Sequence, residues 1–353
     1  MTIDWSSNKV QRICTGAALI ACLAAAFALR LLTVWTFDVL IVFLSLVAVW
    51  EIHKAKTVPQ PLDKNKKEKQ QTRVISTALG ALSVYYLYAY IATAYTMFII
   101  GVATEFAVWL HVVMQFVVLF IFFAYTVVMA YADKTIVKEC RLKKESLWGT
   151  ALRSGWEFIK IIIYPFFMLS TMILINHIGD FTTVVPFIGA DSVPVPELST
   201  FGLLLVFMVT CLTDTFAYTV GMAMRGPALL PKKFQYISPK KTISGGIGGL
   251  FGGMTGALLT LMIVVREGTP LQVFLTDKIG ESTAVQLAFI AIGLVGAIIS
   301  TIGDLYASFI KRRVGIKDYG NYLPGHGGAM DRLDGISFNS VFICLVLVIL
   351  VVI

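Results

Sequence analysis

Residues Lys317 to Gly335 read KDYGNYLPGHGGAMDRLDG. The stretch is polar, glycine-rich and carries Asp318, Asp331 and Asp334, yet it lies between two long apolar runs, near 283–306 and 337–353. A spanning helix needs about 20 mostly apolar residues. Both neighbours approach or reach that length, so the stretch is predicted to be an interfacial loop between two membrane crossings.

The rest of the chain has the same character. Of 353 residues 57% are hydrophobic and only 14% are charged, far from the roughly one-quarter charged of a soluble globular mix. Apolar runs fall near 13–31, 33–51, 74–99, 104–131, 156–178, 199–223, 245–265, 283–306 and 337–353. The expected fold is therefore all-α and polytopic, an integral membrane protein with about nine transmembrane helices. A second apolar run follows the first at once, and the first lacks a small-residue cleavage site; it is read as a helix and not as a signal peptide. Five scattered cysteines offer no metal-binding or disulfide spacing.

Lysine and arginine cluster in alternate connections: Lys54 to Arg73, Lys134 to Arg153, Arg225 to Lys241 and Lys311 to Arg332, whereas 179–200 has none. The positive-inside rule then places the N-terminus and the polar stretches 225–244 and 311–336 in the cytoplasm, with the C-terminus outside. The net charge of +8 is accounted for by these loops, and no nucleic-acid partner is expected. The chain divides, on this reading, into an N-terminal transmembrane region, 1–200, with about five helices, and a C-terminal catalytic region, 201–353.

Asp214 and Asp304 sit inside apolar runs. A carboxylate at bilayer depth costs several kcal/mol (~3 at the helix centre on insertion scales) unless it is paired or wetted, which marks both as functional candidates against a membrane-end reading. Asp38 has no evident partner. His53, His111 and His177 are isolated, as expected of structural histidines. In SGGIGGLFGGMTG, residues 244–256, Gly245, Gly249 and Gly253 recur four apart, as do Gly248, Gly252 and Gly256. That spacing suits close helix packing, inside one chain or across a homodimer. It would also let amides at the helix start face a phosphate, and the preceding Lys240 and Lys241 agree with either use.

In the opening stretch Asp331 and Asp334, three apart, share a face if helical, and Asp318 can join them across the glycine loop. Carboxylates without cysteine suit a hard cation such as Mg²⁺, which binds through one or two carboxylates plus substrate phosphates. Lys311, Arg312, Lys317 and Arg332 are interleaved with these acids. Acids for a metal and bases for phosphate are what phosphoryl and nucleotidyl transfer needs; a solvated, salt-bridged loop is the bland alternative.

The arrangement Ser308, Lys311-Arg312, Lys317-Asp318, Leu323-Pro-Gly-His-Gly-Gly328 and Asp331-Arg-Leu-Asp334 resembles the signature of the phosphatidate cytidylyltransferases, or CDP-diacylglycerol synthases. Asp214-Thr215 with Ala217-Tyr218 and Gly221, Ser238-Pro-Lys-Lys-Thr242 with Gly245, and Gly303-Asp304-Leu305 resemble upstream blocks of that family. Cys211, Ser244 and Ala329 depart from its pattern. The resemblance spans about 201–336 and implies the reaction of CTP with phosphatidate to give CDP-diacylglycerol and pyrophosphate. It implies one or two cations, Mg²⁺ among them, on Asp318, Asp331, Asp334 and Asp214. Lys241, Lys311, Arg312 and Arg332 would grip phosphate, Ser238 and Thr242 would donate hydrogen bonds, and Lys317 and His326 would act at the loop. The expected location is the cell membrane. Two alternatives stay open: a CTP-dependent enzyme using another lipid acceptor, and a transporter coupling ions through Asp214 and Asp304, for which no internal repeat is found.

Overall fold

The computed structural model describes residues 8–57, 105–181, 195–320, 323 and 327–352. Its helices are α1 (Asn8–Leu32), α2 (Trp35–Thr57), α3 (Glu105–Ala132), α4 (Lys134–Lys143), α5 (Leu147–Ile161), α6 (Met168–Phe181), α7 (Glu197–Met224), α8 (Ile243–Val264), α9 (Pro270–Ile279), α10 (Ser282–Arg313) and α11 (Met330–Val352). Among the described residues there is no strand, only isolated bridges at Ala228–Thr242 and Leu323–Gly327. Among the described residues seven helical stretches are long and apolar enough to cross a bilayer, eight if the bent pair Leu119–Ala132 and Ile136–Leu142 forms one span. The protein is an all-α, multi-pass membrane protein. The expected run at 74–99 lies outside the described residues.

The chain forms two compact units, one from Met1–Ser45, Met168–Thr183 and Ser192–Ile353, the other from Leu46–Phe167 and Val184–Asp191. In the second, α3 packs on α5 and α4 around Val127, Ala130, Ile136, Cys140 and Ala151. Ser146 caps α5 by accepting a hydrogen bond from the Gly149 amide at 3.2 Å, the usual service of a serine at that position.

In the first unit α8 packs along α7 and α10, and α11 packs on α10, α6 and α7. The glycine stripes of α8 explain its close approach. A Cβ on Gly256 would meet the Met208 carbonyl at 2.6 Å, one on Gly252 would fall onto the Leu212 carbonyl, and one on Gly253 would meet the Gly293 carbonyl at 2.5 Å. Both stripes therefore serve packing within the chain, against α7 and α10.

A polar network joins α1 and α2 to α6 and α7. The buried Arg30 guanidinium donates to Asn176 Oδ1 at 2.5 Å and to Thr200 Oγ1 at 2.6 Å. Asn176 Nδ2 donates to Asp38 Oδ1 at 2.8 Å, and His177 Nε2 lies 2.8 Å from Asp38 Oδ2. Asp38 thus has its partners 138 and 139 positions away, too far for sequence reading to find them. His177 is structural. His53 is buried with its ring 6.3 Å from that of Trp50, and the His111 side chain lies outside the described residues.

The helices extend further into the polar stretch than hydropathy implies. α10 runs to Arg313 and α11 begins at Met330, so Lys311 and Arg312 lie in the last turn of one and Asp331 in the first turn of the other. Cations at a helix C-terminus and anions at an N-terminus are favoured by the helix dipole, which is why charged residues continue these helices instead of ending them.

Candidate active site

Two dipeptides set the site. Gly303-Asp304 is on α10 and Asp334-Gly335 is on α11. A Cβ on Gly303 would sit 2.8 Å from the Asp334 carbonyl oxygen, and one on Gly335 would sit 2.6 Å from Ser300 Oγ. The two helices therefore cross at their glycines, and the crossing brings the neighbouring carboxylates of Asp304 and Asp334 into electrostatic contact. Asp214 on α7 acts on both of them. Deeper in the unit, Asn339 Nδ2 donates to Thr210 Oγ1 at 3.0 Å and to the Val206 carbonyl at 3.2 Å, fixing α11 against α7.

Cations surround this trio. Lys241 Nζ lies 2.6 Å from Asp304 Oδ2, and Ser308 Oγ is 3.5 Å from Asp304 Oδ1. Lys311 and Arg332 both act on Asp304, and Arg332 acts on Asp214 as well. Asp214 and Arg332 are exposed, Lys241 and Asp304 half-buried and Asp334 buried. Asp334 Oδ1 accepts from the Gly335 amide at 2.7 Å.

Asp331 sits differently. Its Oδ1 takes Lys311 Nζ at 2.8 Å, and its Oδ2 accepts the amides of Tyr319 and Gly328, each at 2.8 Å. Both Asp331 and Lys311 are buried. Lys311 Nζ also lies 5.4 Å from the centre of the Tyr319 ring, within cation–π range, while Tyr319 Oη donates to the Ala307 carbonyl at 3.2 Å. Arg312 Nη1 donates to the Ile316 carbonyl at 3.0 Å. Asp331, Lys311 and Arg312 therefore shape the loop after α10. Gly327 closes it: the residue has φ of 88°, a conformation open to glycine, and exchanges two backbone hydrogen bonds with Leu323. A Cβ there would press on Asp331 Oδ2 at 2.9 Å. Lys317 and Asp318 are exposed on this loop; His326 lies outside the described residues.

The loop before α8 is held by the bridge of Ala228 to Thr242, with the Leu229 amide donating to the Lys241 carbonyl at 2.8 Å. Thr242 Oγ1 caps α8, accepting from the Gly245 amide at 3.1 Å, so that this amide is already engaged. Ser244 Oγ accepts from the Gly226 amide at 3.3 Å and lies 3.2 Å from Thr242 Oγ1. Here Ser244, a departure from the family pattern, ties the two ends of the loop together. Ser238 is half-buried in the turn that precedes it, its carbonyl accepting from the Lys241 amide at 3.4 Å.

Among the described residues no group of three or more His, Cys, Asp or Glu side chains is spaced as a ready metal cage. A Mg²⁺ ion does not need one, since it takes one or two carboxylates and completes its shell with water and substrate oxygens. Asp304 and Asp334, with Asp214 in electrostatic reach, offer oxygen donors whose chemistry suits such an ion. Asp331 takes Lys311 on Oδ1 and two backbone amides on Oδ2, which leaves lone-pair capacity on Oδ1 alone. Sequence reading marked Asp304 as a functional candidate without assigning it a role; the structure sets Gly303-Asp304 opposite Asp334-Gly335.

Fold and site together define a multi-pass membrane protein with acidic and basic side chains brought together from α7, α10, α11 and the residues just before α8. A family model described as the Cytidylyltransferase family matches residues 10–350, and the chain belongs to that family. It is 40% identical over 131 residues to the phosphatidate cytidylyltransferase of Brucella melitensis biotype 1, covering 37% of this chain and 41% of that protein. It is 33% identical over 135 residues to the protein of that name in Thermotoga maritima, covering 38% and 44%. With that of Mycobacterium tuberculosis it shares 34% over 168 residues, covering 44% and 45%. The matched stretches span less than half of each of these curated relatives.

Proposed function

We propose that the protein is a phosphatidate cytidylyltransferase, converting CTP and phosphatidate to CDP-diacylglycerol and pyrophosphate. The observation that carries this reading is the Lys241–Asp304 ion pair at 2.6 Å, with Asp214, Asp334, Lys311 and Arg332 within electrostatic reach of that carboxylate. The printed names of the curated relatives supply the substrates.

The chemistry follows from charge. A phosphate oxygen of the lipid attacks the α-phosphorus of CTP; a new P–O bond forms as the bond to the bridging oxygen breaks and pyrophosphate leaves. Both reactants are anions, so the barrier is dominated by repulsion that fixed cations must offset. Lys241 and Arg332 are reachable from solvent and bind the triphosphate. Lys317, at the exposed edge of the loop, approaches the lipid phosphate. The nucleophile is already ionised at neutral pH, and no general base is required. Asp304 and Asp334, with Asp214, would hold Mg²⁺, which supplies further neutralisation of phosphate charge when bound. Asp318 is exposed nearby as a further oxygen donor, and Asp331 holds the loop on which it sits.

The acyl chains of the acceptor remain in the bilayer while CTP enters from the aqueous side. Positive-inside reasoning makes that side the cytoplasm and puts the N-terminus there; the bacterial relatives favour the plasma membrane. Offering phosphatidate, an ether-lipid phosphate and an isoprenoid alcohol in parallel with CTP tests the acceptor. Incorporation of cytidylate into phosphatidate above the other two supports the reading, and exclusive use of another acceptor overturns it.

A further inference from the structure

The ion pair of Lys241 and Asp304 joins a residue needed for phosphate to a residue needed for a cation. Its atoms are 2.6 Å apart, and the side chains are 26% and 31% exposed. Solvent and ligands can therefore reach it. The other pairing of a site lysine, Lys311 with Asp331, is only 9% and 3% exposed and is enclosed by two amides and the Tyr319 ring. The Lys241 main chain is fixed by its carbonyl bond from the Leu229 amide, and the next residue, Thr242, caps α8. Only the side chain beyond is at liberty to turn. Asp304 touches Lys241 and lies within electrostatic reach of Asp214, Asp334, Lys311 and Arg332.

We propose that Lys241 is the tethered counter-ion of the carboxylate cluster, and that nucleotide and divalent cation bind together because each relieves the cost of the other. With neither bound, the ammonium neutralises Asp304. Asp304 and Asp334 would hold the cation in place of the ammonium, and the Lys241 side chain, so released, would reach a phosphate without moving the backbone. A phosphate arriving first draws Lys241 away and leaves a cluster of carboxylates short of positive charge. The coupling is reciprocal by linkage, and couplings of this kind commonly amount to roughly 5–150-fold in affinity. This inference rests on the site reading above and adds to it an order of charge exchange and a role for Asp304.

Two binding measurements on purified full-length protein in detergent test it, and neither needs turnover. The first is Mn²⁺ titration by electron paramagnetic resonance without nucleotide. Lys241→Gln should bind Mn²⁺ about tenfold more tightly than wild type, while Lys240→Gln, which removes the neighbouring exposed charge, should change little. Equal effects of the two would show a general field and overturn the exchange, as would an unchanged or weaker affinity in Lys241→Gln. The second is binding of labelled CTP in EDTA. Asp304→Asn should tighten it by releasing Lys241, and the gain should vanish in Asp304→Asn/Lys241→Gln relative to Lys241→Gln. A gain that persists without Lys241 overturns the proposal. Cytidylyl transfer by wild type is assayed separately. Transfer without these couplings removes the exchange alone; couplings without transfer to any lipid remove the substrate reading alone.

Discussion

Lys311 Nζ lies 2.8 Å from Asp331 Oδ1, both side chains are buried, and the pair ties the last turn of α10 to the first turn of α11. With the amides of Tyr319 and Gly328 on the other oxygen, Asp331 organises the loop that carries Lys317 and Asp318. Removing one partner of a buried pair leaves an uncompensated charge and costs about 3–5 kcal/mol. Asp331→Asn should therefore lower the unfolding temperature in detergent by several degrees and reduce cytidylyl transfer at least a hundredfold, while the protein still inserts in membranes. Near-normal transfer together with an unchanged unfolding temperature would remove this role.

The Gly303 and Gly335 crossing sets the spacing of Asp304 and Asp334. Gly303→Ala places a methyl 2.8 Å from the Asp334 carbonyl and 3.1 Å from Phe338 Cβ. Overpacking of this sort costs about 1–3 kcal/mol, and the forced separation should weaken Mn²⁺ binding as well as transfer. Gly246→Ala, which meets only the flexible end of Leu229 at 3.2 Å, is the control, with both properties retained.

Lys241→Ala removes a charge-assisted contact to phosphate, worth roughly 1.5–3 kcal/mol. The KM for CTP should rise about ten- to a hundredfold, measured at saturating phosphatidate and cation. A KM equal to wild type would take Lys241 out of the nucleotide site.

Much of this was legible in the sequence. Long apolar runs marked the membrane-length helices among the described residues, because a bilayer demands length and hydropathy and little else, whereas the short α4 and α9 lie outside every run. The Lys311, Asp331 and Asp334 cluster was legible because its members lie within 23 positions of one another and carry incompatible charges for a membrane end. What escaped was pairing across distance. Asp38 found Asn176 and His177 on α6, and Asp304 found Lys241 at the start of α8; both depend on which helices touch. The two backbone amides on Asp331 were not legible, since loop amides leave no mark in a sequence. The glycines of α8 admitted two uses, and only the carbonyls opposite them distinguish packing from phosphate binding.

Asn176 bridges Arg30 and Asp38 inside the first unit. Asn176→Ala takes one partner from each and should destabilise by about 1–3 kcal/mol. The expected readout is a lower unfolding temperature with transfer retained at low temperature. Loss of transfer with an unchanged unfolding temperature would instead connect this network to catalysis.

The most direct test of the central claim is transfer of label from CTP, labelled at the α-phosphate, into the lipid phase. The assay supplies detergent-solubilised protein with phosphatidate and Mg²⁺. Label should appear as CDP-diacylglycerol with matching release of unlabelled pyrophosphate, require the divalent cation, and be lost in Asp304→Asn and Asp334→Asn. Label absent from the lipid phase with wild-type protein, or undiminished in both variants, would contradict the account.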